Sequence, residues 1–379
     1  MFDVVIIGAG MAGSVLAEQF AANKKKVLVI ERRQNVAGNC YDEFDENGIL
    51  IHKYGPHLFH TDDEQIWNYL SRFTDWHIYY HRVKALIDGS PVPIPFNLNT
   101  LHEVFPKILA DKLESALVEN YEYGKKIPIL ELKQSPNADL QFLADFIYEK
   151  IFLHYTQKQW GFSPEKISGA VTARVPVLVG RDDRYFYDRF QAVPKRGYTQ
   201  LVKNILDHKN IKLLLNTDFH DVMELRDDKI YLFRKRFKGQ LIYTGQLDEL
   251  FNKKFGALPY RSIEMKFETI DAEKFQAAPV VNYPNNYDFT RITEFKQIHP
   301  THSPRTTILK EYPQDYIAGE NEPYYPLFTD AARSAYEKYS AELAKFKNIT
   351  AVGRLAEYRY YDIDDTVKHA LEIFSTLNF

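Results

Sequence analysis

DVVIIGAGMAGSVLAEQFAANKKKVLVIERR, residues 3–33, holds an apolar run, a glycine turn, a helical pattern and a second apolar run that ends on an acid. Residues 3–7 read as a buried strand, Ser14–Ala22 carry helical spacing and residues 26–31 read as a second strand, which makes one βαβ unit. Gly8, Gly10 and Gly13 form G-x-G-x-x-G between the strand and the helix, a placement that lets backbone amides and a helix N-terminus approach a pyrophosphate. Glu31 follows Gly13 by 18 residues, at the strand end where a ribose hydroxyl would sit. The competing reading is a glycine turn chosen only for helix–strand packing.

Two arginines narrow the ligand. If Arg32 and Arg33 bound the 2′-phosphate of NADP, the carboxylate beside them would repel that phosphate, so the pair fits a flavin dinucleotide better. ERR with Gly38-Asn39 resembles the flavoprotein pattern in which an arginine, here Arg32, meets the pyrophosphate and the Gly-Asn turn lets FAD run past. Ala37 departs from it, since a second glycine is usual there. The segment TAVGRLAEYRYYDIDDTVKHAL, 350–371, adds a strand, a Gly353-Arg354 turn and a helix whose start is marked by Asp362 or Asp364. That helix end would face the flavin pyrimidine and stabilise the anion formed on reduction. The plain alternative is an acid that caps its own helix.

Composition sets outer limits. The chain has 379 residues, 45% of them hydrophobic and 26% charged, enough for two or three structural units around substantial cores. Its net charge of −3 supplies no bulk positive field for nucleic acid or an anionic membrane, so an anionic ligand must be met by local arginines. A single cysteine, Cys40, excludes an internal disulfide and a four-thiolate zinc site, and points to a reducing cytoplasm. No apolar run approaches the roughly 18 residues of a membrane span, and no signal peptide is expected. Aromatic residues, at 15%, are abundant and suit a site that stacks rings or sugars, although packing accounts for most of them.

The remaining pattern alternates between textures. Residues 61–70 read as a helix, 77–96 as a hairpin through DGSP, and about 100–160 as an inserted helical subdomain. Beyond 197 the βα rhythm returns, and 260–312 reads as extended segments. The expected fold is α/β: a Rossmann-like FAD-binding domain, discontinuous in sequence, with an inserted helical subdomain and an antiparallel-sheet substrate domain. The FAD-binding parts are placed at 1–75, 198–255 and 329–379, and the sheet parts at 76–98, 181–197 and 256–328. The helical subdomain takes 99–165, and a lid takes 166–180. The basic run at 233–238 reads as a solvated strand end. Only Gly8 and Gly10 form a G-x-G pair, so a second nucleotide domain of that kind is not expected.

KYGPHLFHT (53–61), HYTQKQWG (154–161), ARVPV (173–177), DDRYFYDRFQAVPKRGYTQL (182–201), FGALPYRS (255–262), TRITEFK (290–296), EPYYP (322–326) and GRLAEYRYYDID (353–364) together resemble the bacterial UDP-galactopyranose mutase family. The resemblance implies a redox-neutral isomerase in which N5 of reduced FAD attacks the anomeric carbon of UDP-galactose. UDP departs, the flavin–sugar adduct opens, and the ring recloses as pyranose or furanose. It also implies an external reductant such as NAD(P)H or a reductase, a homodimer, and a product used in galactofuranose-containing cell-surface glycans.

The same resemblance assigns site residues. Arg174, on the lid, would close on the diphosphate and sugar, with Arg291 as its fixed counterpart. Tyr155, Thr156 and Trp160 match substrate positions, Tyr185 would stack near uracil with Asn282 beside the uridine, and Tyr325 and Tyr360 would donate hydroxyls to the diphosphate. Phe186 and Tyr187 read instead as core aromatics. His57 and His60 invite a metal reading by their spacing, but no ligand-spaced carboxylate or cysteine follows; the resemblance puts their turn against the flavin. Two rivals remain: an amine-oxidase-like FAD-dependent oxidoreductase, which would consume oxygen, and a non-catalytic flavin-binding module.

Overall fold

A computed structural model describes residues 2–162 and 176–377. Five parallel strands form the first sheet, in the order Ile211–Leu214, Val27–Ile30, Val4–Ile7, Gln240–Tyr243 and Ile349–Ala351. VVII and VLVI are buried at every position, as central parallel strands covered on both faces must be. Alternate residues feed two cores. Val4, Ile6, Val27 and Val29 pack with helices Met11–Ala22, Tyr198–Leu206 and Ile363–Thr376, whereas Val5, Ile7, Leu28 and Ile30 pack with Leu247, Tyr339 and Ala356 on the other face. The sheet is assembled from distant pieces of chain, as the returning βα rhythm implies.

The largest sheet has seven strands, ordered Tyr325–Pro326, Tyr260–Ile270, Thr306–Asp315, Arg291–Glu294, Val280–Asn282, Val83–Ile87 and Ser90–Ile94. It departs from the expected antiparallel sheet at one place, where Val280–Asn282 runs parallel to Val83–Ile87. Nearly two hundred residues separate the two strands, so no hairpin forces them to alternate in direction. The predicted hairpin is present as Val83–Ile87 against Ser90–Ile94.

Between these sheets the chain inserts helices Leu98–Val104, Lys107–Asn120, Ile129–Leu132 and Ala138–Ile147, a π-helical segment Tyr148–Leu153 and helix His154–Trp160. Asn97 starts the first by accepting from Asn99 N (2.8 Å) and Thr100 N (3.1 Å), and Asn137 starts the fourth by accepting from Asp139 N (2.9 Å). Their apolar faces share one core with the hairpin through Leu113, Leu117, Leu143 and Ile147. Trp76–Ile78 and Phe190–Pro194, read with the large sheet from sequence, instead join Phe59–Thr61 in a separate three-stranded sheet. A column of rings, Phe59, Trp76, Trp67 and Phe190, holds it at centroid spacings of 4.8–5.0 Å, which accounts for part of the aromatic excess. In the basic run, Lys235 and Arg236 are exposed on a hairpin strand, a solvated strand end as read.

Candidate active site

The glycine turn is held by contacts that tolerate no side chain. Gly8 has φ +104°, and a Cβ there would stand 2.1 Å from Thr244 Oγ1. A Cβ on Gly13 would stand 2.1 Å from the Gly8 carbonyl oxygen. Gly10 differs, because among the described residues its Cβ would meet only Gly38 Cα, at 3.8 Å. It opens helix Met11–Ala22 with no side-chain cap, so the helix N-terminus faces the cleft with amides able to receive an anion. Glu31 is buried, and its carboxylate accepts from Ala9 N (2.8 Å) and Arg33 N (2.9 Å). It therefore ties the glycine turn to the second strand while lining the cleft.

Of the residues expected at the cofactor, Gly8, Gly10, Glu31, Arg32, Gly38, Asn39, His57, Gly353, Arg354 and Asp362 line this one cleft. Gly13 packs behind it, and His60 and Tyr360 lie in the neighbouring cavity. Arg32 and Arg33 converge on Glu322 Oε2 at 2.7 and 2.8 Å. Arg33 also donates to Asn39 Oδ1 and lies 4.3 Å from the centre of the Tyr54 ring. Both arginines are thus paired to Glu322 of the loop after strand Thr306–Asp315, so part of their charge is already met by the protein. Ala37 adopts φ +80°, the left-handed conformation for which a glycine is usual. Asp362, not Asp364, is the N-cap of helix Ile363–Thr376, and its N–H donates to Asp365.

A second cavity, of about 400 Å³, adjoins the first. Asn39, His57, Arg354 and Asp362 border both. Tyr155, Thr156, Trp160, Tyr185, Asn282, Arg291, Tyr325 and Tyr360 all line it; Arg174 lies outside the described residues. Strand register puts Asn282 opposite Arg291 and Arg291 opposite Glu311. Arg291 Nε donates to Glu311 Oε1 at 2.7 Å. Burial works against the Arg291 charge, but Glu311 outweighs it, with Tyr155 and Tyr325 adding, and holds the guanidinium well above its ordinary range. Burial likewise pushes the Tyr155 phenol up. The wall is aromatic: Trp160 lies 5.8 Å from Tyr325, Tyr325 stacks on Tyr360 at 6.3 Å, and the Arg354 guanidinium lies 4.5 Å from the Tyr360 ring centre.

The two histidines of the GPHLFH turn have different surroundings. His57 Nδ1 contacts the Gly55 carbonyl at 2.8 Å, and its backbone N–H donates to His52 Nδ1 at 3.0 Å. Burial, followed by the Arg354 cation, lowers its imidazole to about 4, so it is neutral at pH 7. His60 stacks on Phe186 at 3.7 Å and meets Asp188 at 3.2 Å. Burial opposes its charge, but Asp188 prevails and the net shift is upward. Among the described residues no group of three His, Cys, Asp or Glu side chains is placed to hold a metal ion. Burial pushes the Cys40 thiol up to about 12, which leaves it protonated at the cleft wall.

Phe186 corrects the sequence reading: it is half-buried at the cavity wall, because its ring is sandwiched toward His60 and His81 instead of the core. Tyr187, half-buried beneath Lys126, gives its hydroxyl to the Asp182 carbonyl at 3.4 Å, as a packing aromatic does. Sequence reasoning missed Glu311, Glu322, Thr244 and His81. Glu311 had a signal, since in TTILKEY it falls two residues after Leu309, on the same face of a strand as an apolar residue. Glu322 had none, as its partners are some 290 residues away.

Comparison with known proteins agrees with this geometry. Residues 150–360 match the family model described as UDP-galactopyranose mutase, and residues 6–73 match an NAD(P)-binding Rossmann-like domain. A probable UDP-galactopyranose mutase of Klebsiella pneumoniae is 36% identical over 98% of this chain and 93% of its own. A dTDP-fucopyranose mutase of Escherichia coli is 34% identical over 98% and 97%. The crystal structure of a reduced UDP-galactopyranose mutase superposes with a TM-score of 0.74 over 99% of this chain and 93% of that one, at 16% identity, which is a likeness of fold. With a family model spanning more than half its length and relatives above 30% identity along nearly all of it, the chain belongs to the UDP-galactopyranose mutase family.

Proposed function

We propose that the chain interconverts UDP-galactopyranose and UDP-galactofuranose, with FAD in the glycine-turn cleft and the nucleotide sugar in the adjoining cavity. The observation that carries this is the shared border of Asn39, His57, Arg354 and Asp362 between a dinucleotide cleft and a cavity floored by a half-buried arginine paired to a buried glutamate. FAD fits the first cleft. Gly10 presents an uncapped helix end to a pyrophosphate, and the second helix N-terminus, at Asp362, lies at the junction where the isoalloxazine would reach the sugar. Reduced FAD would supply, when bound, a nucleophilic N5 for the anomeric carbon.

The chain's own residues then hold and neutralise. Arg291 keeps its proton in the cavity floor, so it offers a fixed cation to the diphosphate as negative charge grows on departing UDP. Glu311 orients it from the neighbouring strand by accepting from Nε. Tyr325 and Tyr360 supply hydroxyls beside it, and Tyr185 and Phe186 offer ring faces to the base. Arg174 would add a second cation. Neutral His57 bears no charge to compete at the junction. The division into FAD, helical and sheet domains, a cytoplasmic homodimer, an external reductant and supply of galactofuranose to cell-surface glycans belong to this same reading.

A second substrate has a specific observation behind it, the 34% identity with a dTDP-fucopyranose mutase over nearly both chains. A 6-deoxyhexose needs the same ring opening at the same atoms. Reduced holoenzyme offered UDP-galactofuranose and dTDP-fucofuranose separately tests both; turnover of the first at the higher kcat/KM is expected. Oxygen consumption without isomerisation would favour an oxidase.

A further inference from the structure

Helix His154–Trp160 supplies Tyr155, Thr156, Gln159 and Trp160 to the cavity wall, but Lys158 is not among the residues that line it. Its ammonium reaches instead into the loop 283–290, which joins strand Val280–Asn282 to strand Arg291–Glu294. There it donates to three backbone carbonyls, Tyr283 O at 2.5 Å, Tyr287 O at 3.0 Å and Phe289 O at 3.1 Å. A primary ammonium has three N–H donors and no acceptor; each finds a carbonyl of the same loop. The loop closes on itself around that cation, with Tyr283 N donating to Thr290 O at 2.8 Å and Tyr283, Tyr287 and Phe289 packed ring to ring at 4.8–5.4 Å. Burial lowers the Lys158 ammonium to about 8, with Asp288 opposing, so the cation is present at pH 7.

This fastening joins two walls of the cavity. Asn282 and Arg291 are the residues at the two feet of the loop, paired across the hairpin. The helix is itself fixed from the far side, where Arg261 donates to the Lys158 and Gln159 carbonyls at 3.2 Å. We propose that Lys158 is a positioning residue that fills a three-carbonyl cation site in loop 283–290 and thereby sets the spacing between the Tyr155–Trp160 wall and the Asn282–Arg291 floor. The inference rests on the nucleotide-sugar reading of that cavity. It assigns Lys158 no contact with substrate.

Lys158→Ala would leave the cradle empty, while Asn285 Nδ2 still anchors the loop to the Lys150 carbonyl at 2.7 Å. In FAD-loaded, reduced enzyme the substitution is expected to raise KM about tenfold with little change in kcat, since wall spacing serves ground and transition states alike. Ethylammonium chloride should restore KM and raise the variant's Tm; tetramethylammonium chloride, which has no N–H, should do neither. An unchanged KM, or a raised KM and lowered Tm that ethylammonium does not restore, overturns the proposal. Lys158→Arg provides a second arm if the alanine variant does not fold. Its planar fork spreads its N–H donors over three nitrogens and cannot radiate three of them from the one site that Nζ fills, so a raised KM is expected, and a wild-type KM would contradict the cradle. The ethylammonium effect on Tm needs no turnover, so it is read even if the wild-type enzyme fails to isomerise UDP-galactofuranose, the result that would sink the underlying reading alone.

Discussion

Arg291 Nε and Glu311 Oε1 lie 2.7 Å apart on paired strands, and Glu311 is fully buried, its second oxygen without a partner among the described residues. The carboxylate thus maintains a cation at the cavity floor and has no solvent of its own. Arg291→Ala removes the charge offered to the diphosphate and strands Glu311. It should lower kcat/KM by about 10²–10³ and destabilise the fold by about 3 kcal/mol. Adding Glu311→Gln should recover stability without recovering turnover. Recovery of both, measured by denaturant unfolding and steady-state kinetics, would show that the pair is only structural.

Gly10 and Gly13 separate binding from folding. Gly13→Ala places a methyl 2.1 Å from the Gly8 carbonyl oxygen and should cost about 1–3 kcal/mol in the apoprotein. Gly10→Ala meets nothing closer than 3.8 Å among the described residues, so apoprotein stability should hold while FAD retention falls. Visible absorbance after desalting and thermal unfolding distinguish the two.

The buried histidines make stability acid-sensitive. Burial lowers His299 to about 4 and His52 well below the ordinary 6.5, and their Nε2 atoms stand 3.1 Å apart. Both are neutral when folded and take up protons more readily when unfolded. Their contribution is therefore fully present above about pH 6.5 and is lost as pH falls through 4. Tm should decline across that window, and His299→Asn should flatten the decline. An equally steep profile in the variant would remove these groups as the cause.

Glu322, itself partly exposed, pairs with Arg32 and Arg33, which line the cleft. Glu322→Gln should change stability by less than about 1 kcal/mol. If the loop guards the cofactor, FAD dissociation should quicken, followed by fluorescence of released flavin; an unchanged rate would leave the contact a surface ion pair.

Local chemistry made much of this readable from sequence. Gly8-x-Gly10-x-x-Gly13 and Glu31 belong to one continuous βαβ unit, and their spacing alone places them together. Asn282 and Arg291 came instead from family resemblance, and the structure puts them abreast through strand pairing across a short loop. Glu322 and Arg32 meet across 290 residues, where periodicity carries no distance information. Phe186 was misjudged because an aromatic in a loop looks the same whether it packs inward or walls a cavity. The parallel Val280–Asn282 pairing was hidden for the same reason, since hydrophobic alternation fixes a strand's faces but not its neighbour's direction.

The most direct measurement is anaerobic incubation of the FAD-loaded enzyme with UDP-galactofuranose, once with flavin oxidised and once after dithionite reduction, with products separated by chromatography. UDP-galactopyranose is expected only from the reduced sample, with no net oxidation. Equal conversion by the oxidised sample, or a purified protein that retains no FAD, would contradict it.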